Sequence, residues 1–463
     1  MNNQSSMKYD IVVIGSGPGG HVAALKAAKR GKSVAVVEKA ELGGVCLNWG
    51  CIPTKAMLKS AQVYHYMTSA ASYGIDFEGE VRPSLDKIVE RSRGVAEQMN
   101  KGIAFAFKKA GVAVLAGRGR IAERGVVEVT SADGSVERVE ADHVILATGS
   151  RPRELPTIPI DGQRVISSKE ALVMRQLPES MIIIGSGAIG CEFAWVYAAL
   201  GVQVTVVEYL PQMLPLADEE ISRTLERSFR KMKATVLTST AVKAVRVNEN
   251  GCEVDVEGKK GATTLVADVV LSAVGVKSNI EGLGLEELGV KIERDKVVVD
   301  DCFRTNVEGI YAIGDIVATP ALAHVASAEA TVCVEAICGG TPEPIDYTTI
   351  PSCVYTTPEV AMVGLTEKQA IEQGYEVKVG KYQYMASGKA TAAGDRDGLV
   401  KLVYDSKTDQ LLGAHIIGGA VTEMLGEPTL AKRLGLTAHQ IAATVHSHPT
   451  MYEGILEATE DVL

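Results

Sequence analysis

Apolar residues in this chain fall in short runs closed by glycine, and the same punctuation occurs twice in the same order. The run from Tyr9 to Gly15 shows no polar alternation over Ile11 to Ile14, which predicts a strand buried on both faces of a parallel sheet. An alanine-rich stretch then predicts a helix to Arg30, stopped at Gly31. Ser33 to Val37 is a second strand, and it ends in Glu38. The pattern returns at Met181 to Gly185, with a helix to Leu200, a stop at Gly201, and a strand from Gln203 to Val207 leading into Glu208. Gly185, Gly201 and Glu208 each stand 170 residues after Gly15, Gly31 and Glu38, a register that chance periodicity does not produce.

Other runs fill in around these two copies. Glu140 to Thr148 reads as a strand closing the first sheet, and Asp268 to Gly275 as its counterpart in the second. Ser84 to Asn100 reads as a helix whose polar residues point to no chemistry. Gly117 and Gly119 suit either a backbone passing near an adenine or a plain turn. Thr305 to Asp315 reads as a strand that delivers Gly314 and Asp315 to its C-terminal end, where ligands bind in open α/β sheets. Ala323 and His324 follow closely, and His324 taken alone reads as a satisfied histidine at a helix start. Beyond Pro344 there is apolar alternation in Glu376 to Tyr384 and Leu399 to Tyr404, a short run from Leu411 to Ile417, and helices after Thr422 and Thr437. These predict a smaller α+β domain.

The turns within the repeat carry chemistry. Gly15-x-Gly17-x-x-Gly20 and Gly185-x-Gly187-x-x-Gly190 each sit between a strand and a helix, the context the dinucleotide-binding fingerprint requires. The glycines permit a tight turn close to a pyrophosphate, and the helix N-terminus faces it with free N–H groups. Glu38 and Glu208 are placed to accept hydrogen bonds from ribose hydroxyls. For Glu208 the repeat favours that role over a solvated strand end. Two copies imply two dinucleotides.

Directly after the first copy come Gly43-Gly44-Val45-Cys46-Leu47-Asn48-Trp49-Gly50-Cys51-Ile52-Pro53-Thr54-Lys55. The cysteine spacing is wrong for a zinc hook, and no metal is expected. It lets two sulfurs meet if the backbone turns sharply, and Gly50 and Pro53 help it turn. So small a loop gains little stability from a disulfide, which favours a pair that opens and closes. By spacing alone, a redox pair and two unrelated buried thiols stand level. The neighbouring dinucleotide turn favours the redox pair. A flavin exchanges electrons with a dithiol and with a nicotinamide, so FAD is expected at the first copy and the nicotinamide at the second. Glu208 would repel the extra phosphate of NADP, and Tyr209 to Ala217 contains no Lys or Arg to receive it, so the nicotinamide is expected to be NAD. Near the chain end stand His446, His448 and Glu453. Thiol exchange needs a base near neutral pH, which a histidine supplies, with Glu453 behind it. The residues alone do not say which histidine serves.

Composition adds bounds. A chain of 463 residues predicts about three domains on the usual length prior. The formal charge of −10 without a basic run argues against a nucleic-acid partner. No apolar run is long enough for a membrane span, and Met1 to Asp10 lacks the apolar core of a signal peptide. Eight scattered cysteines make no disulfide framework, so a cytoplasmic location is expected, although a mature organellar protein reads the same way.

Together, Gly43 to Lys55, Thr305 to Asp315 and His448-Pro449-Thr450-x-x-Glu453 resemble the flavoprotein disulfide reductases over almost the whole chain. The nearest resemblance is to members that oxidise protein-bound dihydrolipoamide with NAD+ in 2-oxoacid dehydrogenase or glycine cleavage complexes. It implies an α/β fold of two Rossmann-like dinucleotide-binding domains, one inserted in the other, plus a C-terminal α+β dimerisation domain. The expected boundaries are 1–149 for the FAD domain with the redox disulfide, 150–275 for the NAD domain, 276–345 for a central segment completing the FAD domain, and 346–463 for dimerisation.

The resemblance also implies roles. Cys46 exchanges with substrate sulfur, and Cys51 lies against the flavin. His448, backed by Glu453, is the base and comes from the other subunit of a homodimer. Lys55 lies by the flavin and pairs with Glu192, whose motion admits the nicotinamide. Gly43, Gly119, Asp315 and Ala323 are further FAD contacts, and Val242 and Gly275 further NAD contacts. The implied partners are lipoyl domains of a complex acyltransferase or of the glycine cleavage carrier protein. Val276 stands where the family often carries arginine, and Cys353 is the last cysteine, so the C-terminal pair of some relatives is missing.

Overall fold

The structure is a computed structural model that describes residues 7–463, so the polar start from Met1 to Ser6 lies outside the described residues. The chain forms two compact units interleaved in sequence. The first gathers the described residues up to Thr54 with Glu90–Arg153 and Val276–Ile345. The second gathers Lys55–Val89, Glu154–Gly275 and Asp346–Leu463.

In the first unit, β1 (Met7–Ile14), α1 (Pro18–Lys29), β2 (Val34–Glu38), α2 (Gly44–Trp49), α3 (Cys51–Thr68), α4 (Leu85–Ala110), β3 (Ala113–Ala116), β4 (Arg118–Glu123), β5 (Val126–Thr130) and β6 (Val136–Leu146) follow in order; α3 and α4 cross the unit boundaries. The sheet order is β3-β2-β1-β6-β5-β4, and Ile310–Ala312 pairs in parallel with β6. The β1 and β2 pairings are parallel, and β4, β5 and β6 pair antiparallel. The unbroken apolar run in β1 has a direct cause. Ile11 and Val13 enter one core with Val34, Val36 and the helix residues Ala23, Ala24 and Ala27. Val12 and Ile14 enter another on the opposite face, with Ala35, Val37 and Val144. A strand covered on both faces has no polar side to show.

Two expectations change in detail. Thr305 to Asp315 is a regular strand only over Ile310–Ala312. Gly309 turns at φ +83°, and the Thr305 N–H donates to the Ile310 carbonyl at 3.0 Å, so the earlier residues form a tight turn. The helix expected from Ser84 to Asn100 runs on to Ala110.

In the second unit, five parallel strands run in the order Thr235–Leu237, Gln203–Val207, Ser180–Ile184, Val269–Ser272, Val165–Ile166. Helix Ala188–Ala199 is buried along Gly190 to Tyr197. A three-stranded antiparallel sheet covers Ala241–Asn248, Gly251–Gly258 and Gly261–Ala267. The chain end builds a five-stranded antiparallel sheet in the order Ser352–Val354, Glu359–Gly364, Leu411–Gly418, Leu399–Asp405, Val377–Gln383, with helices beside it. This is the α/β architecture expected, with a mixed sheet built on parallel β1 and β2 pairings in the first unit, a parallel sheet in the second, and an antiparallel sheet with helices at the chain end.

One charge is set deep in the second unit. Lys401 sits on a strand buried at every position, and its ammonium lies 2.9 Å from Asp218 and 2.7 Å from Glu367. Burial opposes ionisation of Asp218, but the Lys401 ammonium and the Glu220 N–H outweigh it and hold the carboxyl below the ordinary carboxylate range. Lys401→Met leaves that buried carboxylate unpaired and is expected to cost about 3–5 kcal/mol, read as a lower urea midpoint. Adding Asp218→Asn should recover part of the loss. An unchanged midpoint in Lys401→Met would show that the cluster contributes nothing.

Candidate active site

The two fingerprint turns are built to one plan. A Cβ placed on Gly20 would fall 1.9 Å from the Gly15 carbonyl oxygen, and one on Gly190 would fall 2.0 Å from that of Gly185. Each helix therefore starts hard against its own turn, which only a residue without a side chain allows. By contrast, a Cβ on Gly17 or Gly187 would meet nothing within 4 Å. These are the N-cap residues of their helices, and neither helix start has a side-chain cap. Each turn thus presents an open face with N–H groups in need of an acceptor, which suits a pyrophosphate.

The two glutamates are fastened in the same way. Glu38 Oε2 accepts from the Ser16 N–H at 2.9 Å and from its hydroxyl at 2.6 Å, and Oε1 accepts from the Ala40 N–H at 3.0 Å. Glu208 Oε2 accepts from the Ser186 N–H at 2.7 Å and hydroxyl at 2.8 Å, and Oε1 accepts from the Leu210 N–H at 2.8 Å. Glu208 is buried, not a solvated strand end. Ser16 and Ser186 are each the middle residue of a Gly-x-Gly and stand 170 positions apart, so the repeat carried a signal for them.

Ser16 also reaches the cysteine stretch, because its hydroxyl accepts from the Gly43 N–H at 3.1 Å. A Cβ on Gly44 would come within 2.7 Å of Gly17 Cα, so this stretch begins in backbone contact with the first turn. Gly43, at φ +91°, starts α2, which ends at Gly50, and Cys51 opens α3. Cys46 and Cys51 are joined by a disulfide, their Cα atoms 4.7 Å apart. Thr54 donates its hydroxyl back to the Gly50 carbonyl at 2.7 Å.

In the second unit, the Lys55 ammonium donates to both oxygens of Glu192, at 2.9 and 2.8 Å, and lies 4.3 Å from the Tyr355 ring centroid. Glu192 is buried and also accepts from the Tyr355 N–H at 3.1 Å. The two histidines near the chain end part company. The His446 side chain is buried, with Nε2 3.0 Å from Glu427 and its ring stacked on Tyr452. His448 is 78% exposed, and its Nδ1 lies 2.7 Å from Glu453 Oε1. The hydrogen bond from His448 and a second from the Thr450 N–H hold the Glu453 carboxyl below the ordinary range. A carboxylate facing Nδ1 accepts a proton carried there, and in that tautomer Nε2 is the acceptor.

The remaining candidates are more dispersed. Asp315 accepts from the Ser150 hydroxyl at 2.5 Å, and its backbone carbonyl accepts from Lys296 at 2.6 Å. Ala323 opens the helix Ala323–Ile337. Gly119 lies in β4, where a Cβ would meet Ile14 Cγ2 at 2.9 Å, so it is part of the sheet and not a plain turn. Val242 lies at a bulge of the strand Ala241–Asn248, and Gly275 turns at φ +108°. The cysteine pair belongs to the first unit, and His448 with Glu453 to the second. Among the described residues no group of three or more His, Cys, Asp or Glu is arranged to hold a metal, and no helix is long and apolar enough to cross a membrane.

Two dinucleotide-type turns, one abutting a disulfide, and a histidine–carboxylate pair define a pyridine-nucleotide-dependent disulfide oxidoreductase. The profile of the pyridine nucleotide-disulphide oxidoreductases matches residues 9–330, that family's dimerisation domain matches residues 350–459, and the chain belongs to this family. It is 48% identical over 458 residues to the dihydrolipoyl dehydrogenase of Chlorobaculum tepidum, covering 98% of this chain and 97% of the relative. It is 41% identical over 461 residues to the Bacillus subtilis dihydrolipoyl dehydrogenase, covering 97% of each. Among solved structures it is similar to LpdA of Mycobacterium tuberculosis, with a TM-score of 0.91 at 28% identity, covering 99% of this chain and all of that one. The HOCl-induced flavoprotein disulfide reductase RclA of Escherichia coli follows at 0.87 and 25%, covering 99% of each. The chain is thus an oxidoreductase that uses FAD and NAD(H) and pairs with a second copy of itself.

Four of the six cysteines outside the pair are poor nucleophiles. Burial pushes the Cys191, Cys252 and Cys333 thiols up, and Cys353 up to about 11. Iodoacetamide at pH 7.5 should therefore leave these four unlabelled in the oxidised protein. After mild reduction, new label should appear on the peptide carrying Cys46 and Cys51. New label confined to any of the other four, mapped by mass spectrometry, would contradict this ranking.

Proposed function

We propose that the chain is a dihydrolipoyl dehydrogenase, oxidising protein-bound dihydrolipoamide to lipoamide with NAD+ through the Cys46–Cys51 disulfide and FAD. The observation that carries this reading is the contact of the disulfide-bearing stretch, through Gly43 and Gly44, with the first dinucleotide turn. Near-full-length identity to dihydrolipoyl dehydrogenases supports it.

FAD would be held by Gly15, Gly17, Gly20, Glu38, Gly43, Lys55, Gly119, Asp315 and Ala323. NAD would be held by Gly185, Gly187, Gly190, Glu192, Glu208, Val242 and Gly275. The corresponding domains are 1–149 for FAD, 150–275 for NAD, 276–345 completing the FAD domain, and 346–463 for dimerisation. The uncapped helix starts and open faces at Gly17 and Gly187 suit the two pyrophosphates. Bound there, FAD would supply two-electron transfer between the reduced cysteine pair and NAD+.

The residues divide the rest of the work. A substrate thiol gives its proton to His448 Nε2, with Glu453 stabilising the charged ring. The resulting thiolate attacks Cys46 Sγ, and Cys51 leaves as thiolate. The second substrate sulfur then attacks the mixed disulfide and releases Cys46, closing the lipoamide ring. His448 and Glu453 would serve the cysteine pair of the other subunit in the homodimer. The partners would be lipoyl domains of a dehydrogenase complex acyltransferase or of a glycine cleavage carrier protein. A cytoplasmic site fits the six unpaired cysteines.

The test is anaerobic titration with dihydrolipoamide, followed by NAD+. Flavin absorbance should change on the first addition and NADH should appear on the second. Cys46→Ser should keep the flavin and lose lipoamide turnover, and His448→Gln should lose at least about 100-fold in kcat. Gly190→Ala should leave reduction by dihydrolipoamide intact while abolishing NADH formation. A flavin that dihydrolipoamide leaves unchanged but NADH reduces would overturn the substrate assignment.

A further inference from the structure

The helix α4 carries polar residues to which the sequence assigns no chemistry, yet three of them close on the cysteine stretch. Ser92 is fully buried, and its hydroxyl donates to the Pro53 carbonyl at 3.1 Å. Its neighbour Arg93 lays its guanidinium over the Trp49 ring, 4.6 Å from the centroid, and donates to the Asn48 carbonyl. Asn100, two turns along, donates to the Leu42 carbonyl at 2.8 Å. Asn48 donates to that same carbonyl at 2.8 Å and to the Gly44 carbonyl at 3.1 Å.

These contacts bracket a joint. Asn48 and Trp49 are the last residues of α2, and Pro53 lies in the first turn of α3. Between them Gly50 breaks the helix at φ −151°, ψ −113°. Gly50 thus separates the segment bearing Cys46 from the segment bearing Cys51. The disulfide spans the joint while it is closed. Once it opens, nothing covalent keeps the two sulfurs together except a chain hinged at glycine. Arg93 grips one side of the joint and Ser92 the other, from adjacent positions on a 26-residue helix.

We propose that Arg93 is a positioning residue of the redox pair: by holding the end of α2 against α4, it keeps the two thiols in bonding reach after the disulfide opens. This rests on the reading that the pair cycles during turnover. Opening adds two electrons and two protons to the Cys46–Cys51 bond, while one dihydrolipoamide loses two of each and closes its own S–S bond. Re-forming the bond depends on the effective concentration of one thiol at the other, which rises when both are held in place. A planar guanidinium is suited to this task because it stacks on an indole and donates in its own plane at once, which an ammonium does not. Removing it lets the reduced segment spread. The disulfide then becomes less favoured, and the loss falls more on the oxidised form than on the reduced one.

The experiment equilibrates the holoenzyme anaerobically with mixtures of dihydrolipoamide and lipoamide, quenches in acid, alkylates, and counts the Cys46–Cys51 disulfide by mass spectrometry. Arg93→Met should shift the equilibrium toward the dithiol by about tenfold, about 30 mV for a two-electron couple. Arg93→Lys should fall between Met and wild type. Thermal midpoints of both redox forms give an independent readout, in which Arg93→Met should lower the oxidised form more than the reduced form. A residue of merely structural role would lower both equally and leave the thiol equilibrium unmoved, and that result would overturn the proposal. Should Arg93→Met not fold, Trp49→Leu removes the other half of the stack and carries the same expectations. Repeating the series with reduced and oxidised dithiothreitol separates the two readings. A tenfold shift there, without reduction of wild type by dihydrolipoamide, would overturn the substrate assignment and support the clamp.

Discussion

The structure depends first on how closely its backbone approaches itself at two turns. At Gly20 and Gly190 the helix start lies so near the preceding strand end that a single added carbon would overlap a carbonyl oxygen. That closeness aims the uncapped end of each helix at an open face, a geometry that suits an anion. At Gly44 the first turn is approached again, this time by the stretch bearing the cysteines. The chemistry of the first unit follows from that second approach, because it brings the disulfide-bearing stretch into backbone contact with a dinucleotide turn.

Polar groups then lock what the backbone brings together. Ser16 ties three features of different sequence origin: the fingerprint turn, the strand-end Glu38 and the loop at Gly43. A carboxylate that accepts three hydrogen bonds is held in one orientation, with lone pairs remaining for a ligand. Ser186 and Glu208 repeat the device in the second unit, without a cysteine stretch to bind. Both copies thus carry the same turn, and the disulfide-bearing stretch follows the first. The same economy appears near the chain end, where the His446 side chain is buried against Glu427 and Tyr452 while His448 faces outward with its own carboxylate.

Much of this was legible along the chain because it rests on local rules. Gly-x-Gly-x-x-Gly between an apolar run and an alanine-rich helix, closed by an acid, states its geometry in about thirty positions. The repeat at 170 residues made the second copy as readable as the first. Lys55 opposite Glu192, and His448 chosen over His446, came from resemblance and not from the residues, because each pairing joins positions whose contact no local rule predicts. The short strand Ile310–Ala312 shows the limit of apolar pattern where a glycine turns the chain early.

What the sequence determined by itself was the pair of nucleotide turns, the cysteine pair beside one of them, and the acidic strand ends, since each is set by residues close together in the chain. What only the tertiary structure decided was which distant groups hold that machinery in place. Arg93 on Trp49 and Lys401 among Asp218 and Glu367 bring together residues far apart in sequence. A charged residue in an otherwise solvated helix, or in the middle of a strand, carries no mark of its partner. Its role appears only when packing removes water from it and leaves one counter-group within reach.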